Sequence, residues 1–483
     1  TTYKTGFNNL VITQKIGVGG SNKFVVINMK NTSGRLRKIY VTFFARLVLG
    51  DFEENTQNSI TYSRFNDILR AKNVQNGLEV NLVTSENIVD YSFDTNCLKA
   101  KNGEIVRVKE FTKSTRKDGF VCTVCITLDK EKQVVFSLGK NSSPALDKAE
   151  DIIEEFSAQS KDMSAIKINT GNADVDCVFP WLIPQTYFAR FKARCGFYQV
   201  GGAYGFRDQL QDCLALLYLH PSEVREHILY CASRQFESGD VLHWWHHPYV
   251  GVRTRISDDR LFLPYVTAKY IAFTGDRSIL YEQVSFLKDV PLDKVLYTAF
   301  TPTEYKTSLK DHLVRAIHSC KFSSNGLALM GDGDWNDAMD KAGSKGYGTS
   351  VWLSMFLYAV ISECKPFLDN AEFYERILAR LKESVNKTFD GRSFARLITD
   401  EGEMLGYNDG FVDIITQSWS VLSGIAEKRV GEKALQTAEK LVDDDKRIIK
   451  LLSPAFDENT KIGSIGKYPK GVRENGGQYT HGA

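Results

Sequence analysis

Apolar residues recur with two different periods along this chain. Up to about residue 140 they form short β-branched and aromatic runs: Leu10–Ile12, Phe24–Ile27, Ile39–Phe44, Val121–Ile126 and Val134–Ser137. Gly, Asn and Asp separate these runs. Strand side chains alternate between faces, and branched or aromatic residues pack well on a pleated surface. The region therefore predicts an antiparallel β-sandwich. The texture changes at Ser142-Ser143-Pro144. From Ala145 to Gln159 the apolar positions fall at helical spacing among paired acids, which predicts a linker helix.

From about residue 175 the period becomes 3.6. Gln209–Leu219, Ser222–Gln235, Asp259–Thr274, Thr307–Ser319, Ser350–Cys364 and Ala371–Phe389 each carry one apolar face. Gly/Asp/Trp-rich loops lie between them, and all six tryptophans fall between Trp181 and Trp419. Helices alternating with long loops predict an α-helical barrel whose site is built from loops. The expected architecture is α+β multidomain. It has a β-sandwich domain over 1–140, a helical linker over 141–172 and a helical catalytic domain over 173–483.

Composition narrows the function. Hydrophobic content of 43% and charged content of 25% fit a globular chain. A net charge of +2 gives nucleic acid or an anionic membrane no reason to be the main partner. No apolar run reaches the roughly 18–20 residues of a membrane helix, and no basic-then-apolar leader opens the chain. The start at Thr1 reads as a fragment boundary. Nine cysteines, an odd number, argue against a disulfide framework and for a reducing, cytoplasmic setting. Cys122 and Cys125 have metal or redox spacing, but they sit in a strand-like run with no second pair.

Four segments carry chemistry. Tyr198–Asp212 is Gly-rich and ends in Arg207, Asp208 and Asp212 at a helix start. Those acids also suit a helix dipole. His243-Trp244-Trp245-His246-His247 leads to Arg253 and Ser257-Asp258-Asp259. Its spacing matches no zinc helix motif, and paired tryptophans suit sugar faces better than a metal shell. Ser257-Asp258-Asp259 can cap the next helix or hold sugar hydroxyls. Met330–Asp340 places four aspartates around Trp335 and lacks the closing Glu of a calcium loop. A carboxyl beside an aromatic in a dry cleft is expected to have a raised pKa and to serve as a general acid. Gly471–His481 combines Arg, His and a Gly pair, and reads either as a surface tail or as an anion contact.

Together these segments, with Gln417-Ser418-Trp419, resemble the inverting disaccharide and oligosaccharide phosphorylases of glycoside hydrolase family 94. The wording is most similar to the branch acting on β-1,2-glucans. The motifs run in order over about 300 residues, and the β region matches only by texture. The resemblance implies a β-sandwich, a helical linker and an (α/α)6 barrel. It implies cleavage of a β-glucosidic bond by inorganic phosphate to α-glucose 1-phosphate, with no cofactor and no metal. One protein acid then suffices, because phosphate replaces the base-activated water of an inverting hydrolase.

The resemblance places the acid at Asp337, with Asp334 as second choice. It places the sugar on Arg207, Asp208, Asp212, Trp244, Trp245, Arg253, Asp258, Asp259, Trp335, Asn336 and Gln417. It places phosphate on His481 with Arg207. The family continues beyond the His481 segment, which implies a barrel incomplete at its C-terminal end and a complementing fragment as a partner. Family members also form homodimers. Two alternatives remain open at the level of sequence. One is an inverting hydrolase or glycan-remodelling module, with Asp258, Asp259 or Asp413 activating water. The other is a non-catalytic glycan-binding domain of a larger synthase.

Overall fold

The computed structural model describes residues 2–7, 9–19, 21–49, 57–75, 77–101, 104–107, 117–162, 166–187, 204–246, 249–292 and 296–477. The chain divides into two compact units, Thr1–Gly202 and Ala203–Ala483.

The first unit is built on antiparallel strands: β1 (Thr2–Phe7), β2 (Leu10–Gly19), β3 (Asn22–Asn31), β4 (Arg37–Arg46), β5 (Ile60–Phe65), β6 (Ile68–Asn73), β7 (Glu79–Thr84), β8 (Ile88–Ser92), β9 (Leu98–Lys101), β10 (Glu104–Arg107), β11 (Gly119–Leu128) and β12 (Glu131–Gly139). One sheet has the order β1-β2-β3-β12-β7-β6-β5, a second is β4-β11-β8, and β9 pairs with β10. Alternation sends Met29, Leu69, Leu82 and Phe136 of the large sheet toward Phe120, Cys122 and Val124 of the small one, making one apolar core. Phe43 and Phe136 stack there at 5.3 Å. Cys122 belongs to this core, and burial pushes its thiol up to about 12. An inert packed thiol is what a strand cysteine gives, rather than a reactive one.

The 14-residue helix Ala149–Asp162 lies on the large sheet's other face. Its Ile153 packs with Phe24, Val26 and Val135. Lys15 pairs with its Glu150 at 2.9 Å.

In the second unit, helices form two sets. Phe206–Leu214, Phe262–Thr274, Val351–Cys364 and Ile414–Leu422 pack one against the next. Pro221–Ala232, Leu309–His318, Ala371–Asn386 and Lys428–Ala438 pack outside them, each against a member of the first set. Burial follows this order. Val351–Cys364 is apolar almost all round and nearly fully buried, whereas Ala371–Asn386 buries only one stripe. Ser308, Ser350, Asn370 and Asp413 cap four of these helices by accepting backbone N–H groups.

This unit is less purely helical than its 3.6-residue periodicity predicts. Short strands Tyr204–Gly205, Leu242–His246, Val250–Arg253 and Leu296–Ala299 form a four-stranded sheet. The His-Trp-Trp-His segment therefore lies on a strand, not on a loop. Strands of two to five residues are too short to show a period. No helix among the described residues is long and apolar enough to cross a membrane.

Candidate active site

Arg207 organises the site. It is the second residue of the helix Phe206–Leu214, so its side chain leaves the helix at its N-terminal end. Gly205 precedes that helix, and a Cβ there would meet the Asp208 carboxylate, so a larger residue would have to displace that side chain. The buried guanidinium joins two segments. Nη1 donates to both Asp258 oxygens at 2.9 and 3.1 Å and to the Asp334 carbonyl at 3.0 Å. Nη2 donates to Asp337 Oδ1 at 2.6 Å. Asp259 lies 3.7 Å from Nε.

His243 closes the arrangement. Its Nδ1 is 2.7 Å from Asp259 Oδ2 and its Nε2 is 3.4 Å from Asp337 Oδ2. Burial alone would lower the imidazole pKa. The two carboxylates outweigh burial and hold it well above the ordinary histidine value. It is thus an imidazolium donating on both sides.

The acidic loop is fixed from three directions. Ser257 donates to the Gly333 carbonyl through its N–H at 3.0 Å and its hydroxyl at 2.9 Å. Arg255 grips Asp332 with two bonds of 2.9 and 2.6 Å. Behind the loop, Met330, Ala338 and Met339 pack with Leu397, Phe411, Ile462 and Ile465. Gly333 sits at φ 142° with Ile256 Cδ1 2.9 Å from where a Cβ would stand. Only glycine tolerates both conditions.

The two aspartates of this loop face different surroundings. Asp334 is fully buried. Arg396 donates to it at 2.6 and 2.7 Å, the Ser350 hydroxyl at 2.6 Å and the Asn336 N–H at 3.1 Å. Asp337, by contrast, leaves 47% of its side chain open. Burial opposes its ionisation, but Arg207 and His243 win and hold its carboxyl well below the usual range. The expectation of a raised pKa beside Trp335 thus fails for Asp337 in the free protein, because two cations outweigh the apolar wall. Two buried carboxyls are raised instead, Asp413 and, facing Arg207, Asp258. Burial lifts it to about 8 against the pull of Arg207, and Asp259, Asp334 and Asp337 add to the rise.

The other expected residues fall in several places. Asp208 and Asp212 lie one turn apart on the Arg207 helix. Trp244 is half-buried and sits 5.7 Å from the exposed Tyr297, forming an aromatic surface. Trp245 is buried among Phe206 and Tyr230 and donates to the Tyr230 hydroxyl at 3.1 Å. Trp335 and Asn336 are also buried, and Asn336 caps the Ala338 N–H at 3.2 Å. Arg253 belongs to a separate cluster, held by Asp240 at 2.7 Å and Asp289 at 2.7 Å. Asp258 and Asp259 do not cap their helix through their side chains. Asp258 turns to Arg207 and Asp259 to His243.

Gln417 clamps the backbone of Phe394, accepting at 2.8 Å and donating at 2.9 Å, and so fixes the segment that carries Arg396. In the last segment, Asn475 is fully buried and bonds to the Phe456 N–H and carbonyl and to the Tyr468 carbonyl, so this part is no loose tail. Tyr198–Ala203 and His481 lie outside the described residues.

Sequence reading missed Arg396 and gave His243 no role. Arg396 stands in no motif, and its partners Asp334 and Asp413 are reached only through the fold. His243 lay inside a quoted segment, but its meaning depends on Asp259 and Asp337 meeting its two nitrogens.

The signature of the glycosyl hydrolase 94 superfamily catalytic domain matches residues 160–483. A cyclic beta-(1,2)-glucan synthase of Rhizobium meliloti (strain 1021) is 33% identical over 512 residues, covering 95% of this chain and 18% of that protein. Solabiose phosphorylase of Paenibacillus borealis is 29% identical over 293 residues, covering 58% of this chain and 36% of that protein. The chain thus spans well under half the length of either relative. A bacterial glucoamylase complexed with acarbose shares the fold at TM-score 0.50 and 13% identity, over 94% of this chain and 70% of the other. The signature match covers more than half of the sequence, including Arg207, His243, Asp258, Asp334 and Asp337, and the chain belongs to the glycosyl hydrolase 94 superfamily.

Proposed function

We propose that this chain is the catalytic part of an inverting glycoside phosphorylase that cleaves terminal β-glucosidic bonds with inorganic phosphate. One observation carries the reading. Of the aspartates whose side chains meet Arg207 or His243, Asp337 is the one open to a ligand, while Asp258 and Asp259 are buried. A hydrolase needs a second accessible carboxylate to activate water. A phosphorylase does not, because phosphate is itself the nucleophile.

In the step we infer, a phosphate oxygen attacks the anomeric carbon from the face opposite the leaving group. The glycosidic C–O bond breaks with inversion, and the leaving oxygen takes the proton of the Asp337 carboxyl. The products are α-glucose 1-phosphate and a chain shorter by one unit. In reverse, ionised Asp337 accepts the proton of the acceptor hydroxyl, and the rise in its pKa with phosphate bound makes it a better base. Phosphate binding beside Arg207 and His243 would offset their charge and raise Asp337 toward its acid form. His481 is assigned to phosphate by family resemblance. Asp208, Asp212 and the Trp244–Tyr297 surface are assigned to the sugar.

β-1,2-linked glucan is the proposed substrate class, supported by the name of the glucan synthase relative. The two helix sets are read as four pairs of an (α/α)6 barrel within residues 173–483, preceded by the β domain (1–140) and the linker (141–172). No disulfide joins the eight described cysteines to one another, which fits the proposed cytoplasmic setting.

The test is release of glucose 1-phosphate from β-1,2-glucooligosaccharides with and without phosphate. Release should require phosphate, and Asp337→Asn should slow it by about 10²–10⁴-fold. Equal sugar release without phosphate would point to hydrolysis. Binding without turnover, unchanged in Asp337→Asn, would point to a non-catalytic glycan module.

A further inference from the structure

Asp337 meets its cluster through both carboxyl oxygens, and the two are not equivalent. Oδ1 accepts the short bond from Arg207 Nη2 at 2.6 Å. Oδ2 lies 3.4 Å from His243 Nε2. On the far side of the ring, Nδ1 is 2.7 Å from Asp259 Oδ2. His243 stands on the strand Leu242–His246, Asp259 on the turn Asp259–Leu261 and Asp337 on the acidic loop, so three separate segments build the row Asp259–His243–Asp337. The other charges nearby are already engaged. Arg207 pairs with Asp258 and Asp259 as well as with Asp337, and Asp208 acts on Arg207. Arg253, on the strand that pairs with the His243 strand, is held by Asp240 and Asp289.

A carboxylate oxygen only accepts, so Nδ1 carries a hydrogen toward Asp259. The contact between Nε2 and Oδ2 then needs one more proton, because two facing lone pairs repel. That proton sits either on the ring or on Asp337, and Arg207 leaves Oδ2 as the oxygen that can take it. We propose that Asp337 and His243 hold one proton between them, that His243 keeps it in the free protein, and that it crosses to Asp337 Oδ2 for delivery to the leaving glycosidic oxygen. His243 and Asp259 are then positioning residues that act through Asp337. The opposed shifts of the two groups, His243 up and Asp337 down, agree with a resting imidazolium. They also fit the phosphorylase reading, on which this inference rests: a carboxyl that is ionised at rest serves as the acid because its proton is stored on the neighbouring ring. The step balances. Nε2 gives its proton to Oδ2, Oδ2 gives it to the glycosidic oxygen as that C–O bond breaks, and a phosphate oxygen forms the new C–O bond. Hydrogen phosphate brings one proton of its own, and its loss from the sugar phosphate restores the imidazolium.

The test is the pH profile of kcat for glucose 1-phosphate release, together with ring-nitrogen NMR of His243 in the full chain. The alkaline limb should follow the imidazolium, above the ordinary histidine value of about 6.5. His243→Gln should lower kcat with little change in KM for the glucan, and should move that limb about two pH units or more toward acid, into the carboxyl range. Asp259→Asn should move it the same way by about one unit. The titration of phosphate is common to all three proteins and cancels in the comparison. By NMR, both ring nitrogens of His243 should carry hydrogen at neutral pH, and Asp337→Asn should release the Nε2 hydrogen at a lower pH than the wild type. A limb unmoved in both variants, or a wild-type ring that is neutral at neutral pH, overturns the proposal. If His243→Gln fails to fold, Asp259→Asn and the wild-type spectrum decide. The spectrum needs no turnover. A protein that releases no glucose 1-phosphate yet shows the doubly protonated ring loses the phosphorylase reading and keeps the shared proton.

Discussion

At the residue scale the site rests on one guanidinium shared by carboxylates of unequal character. Arg207 bonds Asp258 with one nitrogen and Asp337 with the other. A lysine offers one point charge without a fork and cannot hold both. The two acids then split by exposure. Asp337 should titrate below an ordinary carboxyl in the free protein and move upward when phosphate occupies the site. Carboxyl-carbon NMR of the wild type against Asp337→Asn reads both. A resting pKa at or above about 4 would remove the account of Arg207 and His243. On the proposed mechanism Asp337→Asn should lower kcat by about 10²–10⁴-fold.

Asp258 gives the opposite pH dependence. A carboxyl raised to about 8 in the fold but near 3.9 when unfolded keeps its proton longer in the native state. Between those pH values the native state binds more protons, so stability falls as pH rises and levels off above about 8. Asp258→Asn has no proton to lose. The difference in Tm between wild type and Asp258→Asn should therefore drift against the wild type from about pH 4 to about pH 8. A flat difference would show that Asp258 is ionised throughout.

At the element scale, Arg396 joins the acidic loop to two helices. It bonds Asp334, touches the Ser350 hydroxyl that caps Val351–Cys364, and lies 3.3 Å from Asp413, the cap of Ile414–Leu422. Arg396→Met leaves two buried carboxylates without their cation and should cost about 3–5 kcal/mol in urea unfolding. A loss under about 1 kcal/mol would mean that the two acids take up protons and dispense with the arginine.

The same elements show what the sequence could reveal. The helices Leu309–His318 and Val351–Cys364 were legible to within two residues at their starts, because an apolar stripe is a local signal. The sandwich strands were legible from their β-branched runs. The Asp332–Asp337 loop and Arg207 were legible as motifs. Arg396 was not, since it lies 62 residues from Asp334 and only packing joins them. The lowered pKa of Asp337 was not either. Trp335 beside it suggested a dry acid, while the two opposing cations come from other segments.

At the scale of the whole molecule, each unit closes its own core. The sheets of Thr1–Gly202 bury Phe120, Phe136 and Leu82, and the helices of Ala203–Ala483 bury an independent set around Val351–Cys364. Separate cores are the physical criterion for separate folding units. Calorimetry should then show two transitions rather than one. Phe136→Ala removes a ring that is 1% exposed in the sheet core and should lower one of them by about 3–5 kcal/mol. Arg396→Met should lower the other. If both variants shifted a single transition, the two units would be one cooperative body, and substitutions in the β region would then weaken the Arg207 site without touching it. If the transitions separate, ligands of the Arg207 site should raise only the one that Arg396→Met lowers, because linkage stabilises the unit that binds.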